Sequence, residues 1–167
     1  MDIKVLPASI ADKLLIQRMM ELYQYDFSEF SNIDLDEHGY FGYSHLDHYW
    51  VETNRYPFLL RVNDKLAGFA LVNQLTNLPG SNYSLAEFFI LRKYRHQGIG
   101  RQVAFDIFNL FSGRWEIYQA HTNLAAKKFW QSVLETYTKG SYTETVIEEG
   151  GWAGIIRCFD NTNIFKS

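Results

Sequence analysis

The stretch Phe88-Phe89-Ile90-Leu91-Arg92-Lys93-Tyr94-Arg95-His96-Gln97-Gly98-Ile99-Gly100 carries the clearest chemical signal in the chain. Tyr83–Leu91 is an apolar run of strand character, broken from the preceding segment by Pro79-Gly80. Beyond the glycines, Ile99, Val103, Ala104, Ile107, Phe108 and Phe111 recur at helical spacing, which predicts a helix over Gln97–Phe111 with Gly113 at its C-terminal cap. A strand therefore hands over to a helix through Gly-x-Gly. Glycine lets a backbone approach a ligand closely, and the first amides of a helix have no partner of their own. Together with the helix dipole they make an anion site suited to phosphate. Arg92, Lys93, Arg95 and Arg101 concentrate positive charge there, in a chain whose net charge is −3. Two common phosphate loops do not fit. Val103 stands where the dinucleotide fingerprint needs its third glycine, and Arg101-Gln102 stands where a Walker loop needs Lys and Ser or Thr.

The rest of the composition narrows the class. The 167 residues suit one domain over 1–167, and 47% hydrophobic with 17% aromatic content is ample for a core, which excludes a disordered or collagen-like chain. A mildly acidic chain is a poor match to non-specific nucleic-acid binding. Cys158 is the only cysteine, so neither an internal disulfide nor a multi-cysteine metal site is possible. The N-terminus lacks the pattern of a secretory signal, and the longest uncharged stretch, Leu66 to Ala86, contains Asn73, Gln74, Asn77, Pro79, Gly80 and Asn82, unsuited to a membrane span. A cytoplasmic protein without membrane contact is expected.

Around the central stretch, Ile3–Pro7 reads as an opening strand. Ser9 caps a helix with Leu14, Leu15, Met19 and Leu22 on its apolar positions, and 26–55 is aromatic and irregular, with short helices around Tyr40–Tyr56. Phe58–Val62 and Leu66–Gln74 flank Asn63-Asp64 as a hairpin. Trp115–Gln119 reads as a strand and Asn123 as the cap of another helix; Tyr142–Ile147 and Trp152–Phe159 are strands joined through Gly150-Gly151. The expected fold is mixed α/β (α+β): a central, mostly antiparallel sheet with helices on both faces.

The quoted stretch resembles the acyl-CoA-binding signature of the GNAT N-acetyltransferase superfamily, whose core is Arg or Gln, two residues, Gly, one residue, then Gly or Ala. Downstream, Asn123-Leu124-Ala125-Ala126-Lys127-Lys128-Phe129-Trp130 is similar to that family's second motif. The expected element order matches the GNAT fold over nearly the whole chain. The resemblance implies acetyl-CoA as donor and direct attack of a primary amine on the thioester. It implies that backbone groups of Ile90 and Leu91 pair with pantetheine, and that amides from His96 through Gln97, Gly98, Ile99 and Gly100 to Arg101 hold the pyrophosphate, within the motif begun by Arg95. Asn123 either meets the donor, caps its helix, or does both. A backbone amide near Ile90 is placed to polarise the thioester carbonyl.

The chain departs from the family at Trp130, which replaces the Tyr that commonly protonates the leaving thiolate; an indole N–H is no acid near neutral pH. Tyr137, Tyr118, His121 or water is left for that step. Glu87 is the first candidate for the base that deprotonates the amine, with His121 second; each has a structural alternative, Glu87 as a strand-edge or Tyr-paired carboxylate and His121 as a hydrogen-bonded turn residue. A strand bulge would decide which face Glu87 occupies.

Residues 19–54 contain no Lys or Arg but hold Glu21, Asp26, Glu29, Asp34, Asp36, Glu37, Asp47 and Glu52 among many aromatics. Either this is a solvated acidic surface or it draws a cationic acceptor through charge and cation–π contacts. His38, His45 and His48 have no diagnostic metal spacing, so no metal is expected. Two other classes remain open: a non-catalytic acyl-CoA-binding regulatory module, and a nucleotide-binding module. Edge pairing of the last strands makes a homodimer thinkable.

Overall fold

The computed structural model describes residues 1–148 and 153–164. Strand β1 (Ile3–Pro7) leads through a short 3-10 turn into helix α1 (Lys13–Phe27). Ser9 and Asp12 close the start of that turn, the Ser9 amide donating to Asp12 Oδ2 at 2.9 Å. A 3-10 segment (Leu46–Trp50) precedes β2 (Arg55–Val62) and β3 (Lys65–Asn73). Asn63 and Asp64 take φ of 48° and 62°, the paired positive values of a tight hairpin turn. Then come β4 (Tyr83–Ile90), α2 (Ile99–Leu110), β5 (Arg114–Ala120), α3 (Leu124–Thr138), β6 (Thr143–Ile147) and β7 (Gly154–Asp160). The proposed joint at Gly150-Gly151 and the start of the last strand at Trp152 fall outside the described residues.

Among the described residues seven strands form one sheet, ordered β1-β2-β3-β4-β5-β7-β6. Every neighbouring pair is antiparallel except β4 and β5. Alternation along the strands sends side chains to two cores. Phe58, Leu60, Ala70, Val72 and Ile90 pack under α2 and α3, against Val103, Ile107, Phe108, Trp130 and Leu134. Leu59, Phe69, Leu71 and Phe89 pack on the opposite face against Ile16, Met19 and Met20 of α1 and Leu46 and Tyr49. The expected layers, helices on both faces of a mostly antiparallel sheet, are therefore observed.

Two details of the sheet create the site. The parallel ladder between β4 and β5 consists of Tyr83↔Trp115 and Ser84↔Glu116 only. Beyond those pairs the sheet holds a seam, with β4 on one side and β5 on the other. In addition, β3 and β4 slip register: Leu71 faces Glu87 and Val72 faces Leu85, leaving Ala86 as an unpaired bulge. The bulge reverses the alternation of β4, so Leu85 joins the α2/α3 core while Glu87 and Phe89 face α1.

The C-terminus of α2 differs from expectation. Gly113 is not its cap; the helix closes on Phe111, in extended conformation. The fully buried Asn161 side chain donates to the carbonyls of Phe108 (2.8 Å) and Phe111 (3.0 Å) and accepts from the Gly113 amide (2.8 Å). One side chain thereby supplies what a glycine cap would have supplied. No described helix is long and apolar enough to cross a membrane.

Candidate functional site

The turn between β4 and α2 wraps the open end of the seam. Gly98 is the N-cap of α2 with φ of 79°, and a Cβ there would meet nothing within 4 Å. Its glycine is required by conformation and leaves the approach open. Gly100 answers a different need: a Cβ there would come within 3.2 Å of Phe129 Cε2 and Cζ and 3.8 Å of Phe88 Cε1. It lets α2 pack close to α3 and β4. His96 adopts φ of 59°, a left-handed conformation costly for a residue with a side chain. Among the described residues, no acceptor answers the amides of His96, Gln97, Gly98, Ile99, Gly100 and Arg101. This row of unanswered N–H groups at a helix N-terminus is an anion cradle.

Basic side chains around the loop are less available than composition implies. The Arg95 guanidinium turns away: Nε donates to the Ile90 carbonyl at 2.7 Å and Nη2 to Asp26 Oδ2 at 2.5 Å, with the guanidinium carbon 5.6 Å from the Phe89 ring centre. Arg92 meets the other Asp26 oxygen at 2.6 Å. Arg95, expected to lend its charge to the phosphate loop, is paired with Asp26. Gln97 Nε2 donates to the Lys93 carbonyl at 2.7 Å, bracing the turn, and Arg101 is exposed, 3.4 Å from Ser132 Oγ.

At the end of β4, the Leu91 amide donates to the Ala67 carbonyl at 2.8 Å and the Leu91 carbonyl accepts from Tyr94. Leu91 is thus hydrogen-bonded to β3 and its own turn. Strand alternation then directs the Ile90 amide and carbonyl toward the seam. The carbonyl is held by Arg95, leaving the Ile90 N–H as the donor there.

Glu87 lies on the α1 face, where the hydroxyls of Tyr23 and Tyr43 approach its carboxylate. Burial pushes its pKa above the usual carboxylate value, and the two hydroxyls oppose that rise by favouring the anion. Burial and the Glu87 charge in turn raise both tyrosines, so each stays a protonated donor near neutral pH. His121 sits in the turn after β5, its amide donating to the Ala153 carbonyl at 3.1 Å, on the far side of the seam from β4. Asn123 Oδ1 accepts from the Ala126 amide at 2.9 Å, so it is the N-cap of α3.

Tyr137 is not part of this site. It lies fourteen residues beyond Asn123, roughly 21 Å along α3 at 1.5 Å per residue. Its hydroxyl donates to Asn109 Oδ1 at 2.8 Å near the other end of α2. Trp130 is buried between Phe88 (5.1 Å), Phe129 (4.9 Å) and Phe108 (6.4 Å), a core residue where the family commonly has its acid. Tyr118 packs under Gly154 with its hydroxyl donating to the Ala153 carbonyl at 3.2 Å.

The carboxylates of 19–54 are largely engaged. Glu21 accepts the Phe41 and Gly42 amides at 2.8 and 3.0 Å, and Asp36 those of His38 and Tyr40. Asp47 pairs with Lys13, Glu52 with Arg55 and His48, and Asp26 with Arg92 and Arg95. Apart from His48, these partners come from outside the stretch, which composition alone could not reveal. Among the described residues no cluster of His, Cys, Asp and Glu could hold a metal ion. The sequence reading also missed Glu116, a buried residue of β5, which accepts the Asn77 and Leu78 amides and fixes the loop before β4.

The Acetyltransferase (GNAT) family matches residues 16–135 of the chain. An acetyltransferase from Thermus thermophilus superposes with a TM-score of 0.71 at 18% identity, covering 96% of this chain and 97% of that one. The PaiA N-acetyltransferase of Thermoplasma acidophilum, solved in complex with coenzyme A, superposes with a TM-score of 0.64 at 13% identity, covering 96% and 99%. A spermidine N-acetyltransferase chimera from Vibrio cholerae gives 0.63 at 12% identity over 100% of each chain. No curated protein matches the sequence. The sheet with its open seam and the glycine loop define a GNAT-type acyltransferase fold. The chain belongs to the GNAT acetyltransferase family.

Proposed function

We propose that residues 1–167 form one N-acetyltransferase domain that moves the acetyl group of acetyl-CoA to a primary amine. One observation carries this reading: the row of unanswered amides from His96 to Arg101 opens beside the seam between β4 and β5. The cradle fits the donor, since it offers hydrogen bonds to a pyrophosphate and an approach that no Cβ blocks at Gly98. The pantetheine arm lies in the seam, where β4 has no ladder to β5 beyond Ser84. The Ile90 N–H then points at the thioester carbonyl and stabilises the charge that develops on its oxygen. Bound there, acetyl-CoA supplies an activated acyl group.

Glu87 is the base. Its carboxylate lies three residues before Ile90 on the α1 face, and its raised pKa brings it closer to that of the ammonium it must deprotonate. The acceptor is a cationic amine entering from the α1 side, attracted by Glu87 rather than by the wider acidic stretch. With Trp130 buried and Tyr137 remote, His121 or water returns the proton to the thiolate. A homodimer paired through the exposed strand β6 remains part of the proposal, and a monomeric mass by light scattering refutes that part.

Calorimetric titration with acetyl-CoA, and with ATP and NAD as controls, tests the donor site. Micromolar affinity is expected, roughly −8 kcal/mol at 1 µM. Absence of acetyl-CoA binding refutes the proposal, and ATP binding in its place supports a nucleotide module. A thiol-release assay across a panel of amines then tests catalysis; donor binding with no release across the panel identifies a silent acyl-CoA binder.

A further inference from the structure

Asp26 occupies the last turn of α1, three residues after Tyr23 and therefore on the same helix face. Tyr23 is aimed at Glu87. Asp26 reaches the opposite side of the same region, receiving Arg95 Nη2 on one oxygen (2.5 Å) and both Nε (3.1 Å) and Nη2 (2.6 Å) of Arg92 on the other. Arg95 in turn holds the Ile90 carbonyl at 2.7 Å and stands at the root of the glycine loop. One carboxylate thus ties together the helix that carries Tyr23, the end of β4 and the start of the phosphate cradle. Just beyond α1, the Phe30 carbonyl accepts from Thr122 Oγ1 at 3.3 Å, so the same stretch of chain also reaches the turn after β5. The end of α1 consequently spans the mouth of the seam from one side to the other.

We propose that Asp26 is a positioning residue that couples occupancy of the glycine loop to the seating of α1 over Glu87. A ligand on the loop fixes the turn that Arg95 leaves, Arg95 transmits that order to Asp26, and Asp26 seats Tyr23 against the Glu87 carboxylate. The direction of coupling is reciprocal, so a seated α1 also favours the loop geometry that holds phosphate. This inference rests on the proposed donor site, but the ion-pair geometry that motivates it does not.

Hydrogen–deuterium exchange on wild type, Asp26→Asn and Asp26→Glu, with and without acetyl-CoA, tests it. In wild type, acetyl-CoA is expected to slow exchange both at His96–Arg101 and at Tyr23–Ser31, the latter by at least about fivefold, the low end of ordinary site-to-site coupling. In Asp26→Asn, slowing is expected at the loop only, and Asp26→Glu is expected to restore part of the response at α1. Slowing at both places in Asp26→Asn overturns the inference, as does slowing at the loop alone in wild type. If acetyl-CoA protects nothing in wild type, the donor site fails instead. The coupling is then decided in the ligand-free proteins: Asp26→Asn must speed exchange at both Tyr23–Ser31 and Leu91–Arg95, and acceleration confined to α1 overturns it. In the active enzyme, Asp26→Asn is expected to raise the KM for the amine, shift the pH–rate profile and, by the same reciprocity, weaken acetyl-CoA binding by about fivefold.

Discussion

The two glycines of the loop, two residues apart, are held there for different reasons, and substituting each with alanine separates those reasons. At Gly98 the φ of 79° places any other residue in the left-handed region, while nothing lies within 4 Å of the added methyl. The cost of Gly98→Ala is therefore conformational, about 1–2 kcal/mol. At Gly100 the backbone is helical, and the methyl meets the Phe129 ring at 3.2 Å. Phe129 is only partly buried, so its ring can move the few tenths of an ångström required. Overpacking of about 1 kcal/mol is offset by the roughly 1 kcal/mol that alanine gains over glycine inside a helix. Gly98→Ala should lower the melting temperature by about 2–8 °C, at about 2–4 °C per kcal/mol for a chain of this size, and Gly100→Ala by less. Calorimetric titration adds the functional half: Gly98→Ala should weaken acetyl-CoA binding at least about tenfold by misaligning the amides, and Gly100→Ala by less. A larger loss of stability in Gly100→Ala than in Gly98→Ala refutes the packing argument. Unchanged donor affinity in a destabilised Gly98→Ala refutes the cradle.

Three further substitutions have expected outcomes. Glu87→Gln should cut turnover about a hundredfold or more while acetyl-CoA affinity is retained, and wild-type rate should climb as pH rises through a pKa above the ordinary carboxylate value. Because the folded-state pKa of Glu87 is raised, its contribution to stability is present below the unfolded value and is lost as pH rises through the folded one. Glu87→Gln is accordingly expected to be at least as stable as wild type near pH 7 by urea unfolding. Asn161→Ala, which strips the end of α2 of two donated bonds and one accepted bond, should cost about 2–4 kcal/mol in the same assay. Gly68→Ala should fail to accumulate as folded protein, since its methyl would lie 1.9 Å from the Phe89 carbonyl oxygen, a backbone atom that cannot yield.

Much of the fold was legible because its signals are local. The Asn63-Asp64 turn, the helical spacing after Gly98 and the cap at Asn123 each fix their element without reference to distant residues. The glycine loop was legible for the same reason. What escaped depends on pairing across the chain. Arg95 looked like part of the phosphate site until Asp26, sixty-nine residues earlier, claimed its guanidinium. The acidic stretch looked unpaired because Lys13, Arg55, Arg92 and Arg95 lie outside it. Tyr137 is close to Asn123 in sequence, yet a straight helix carries it to the far end of the domain. Gly113 showed a cap signal, but Asn161, just after β7 and connected to α2 by no local rule, took the role. Glu87 was a candidate of uncertain facing, and only the register slip at Ala86 turned it toward α1.

The unpaired seam has a consequence for solubility. Bare strand edges are templates for aggregation, and sheet proteins ordinarily blunt them at the periphery with charge, proline or irregularity. Here the bare edges lie inside the sheet, each flanked on its other side by a fully laddered neighbour, and β4 carries its bulge at Ala86 within the exposed run. A stray strand would need to enter between two edges that part from a common ladder at Ser84 and Glu116. The seam can therefore keep backbone groups ready for a narrow, extended guest without adding a further outer edge to those of β1 and β6.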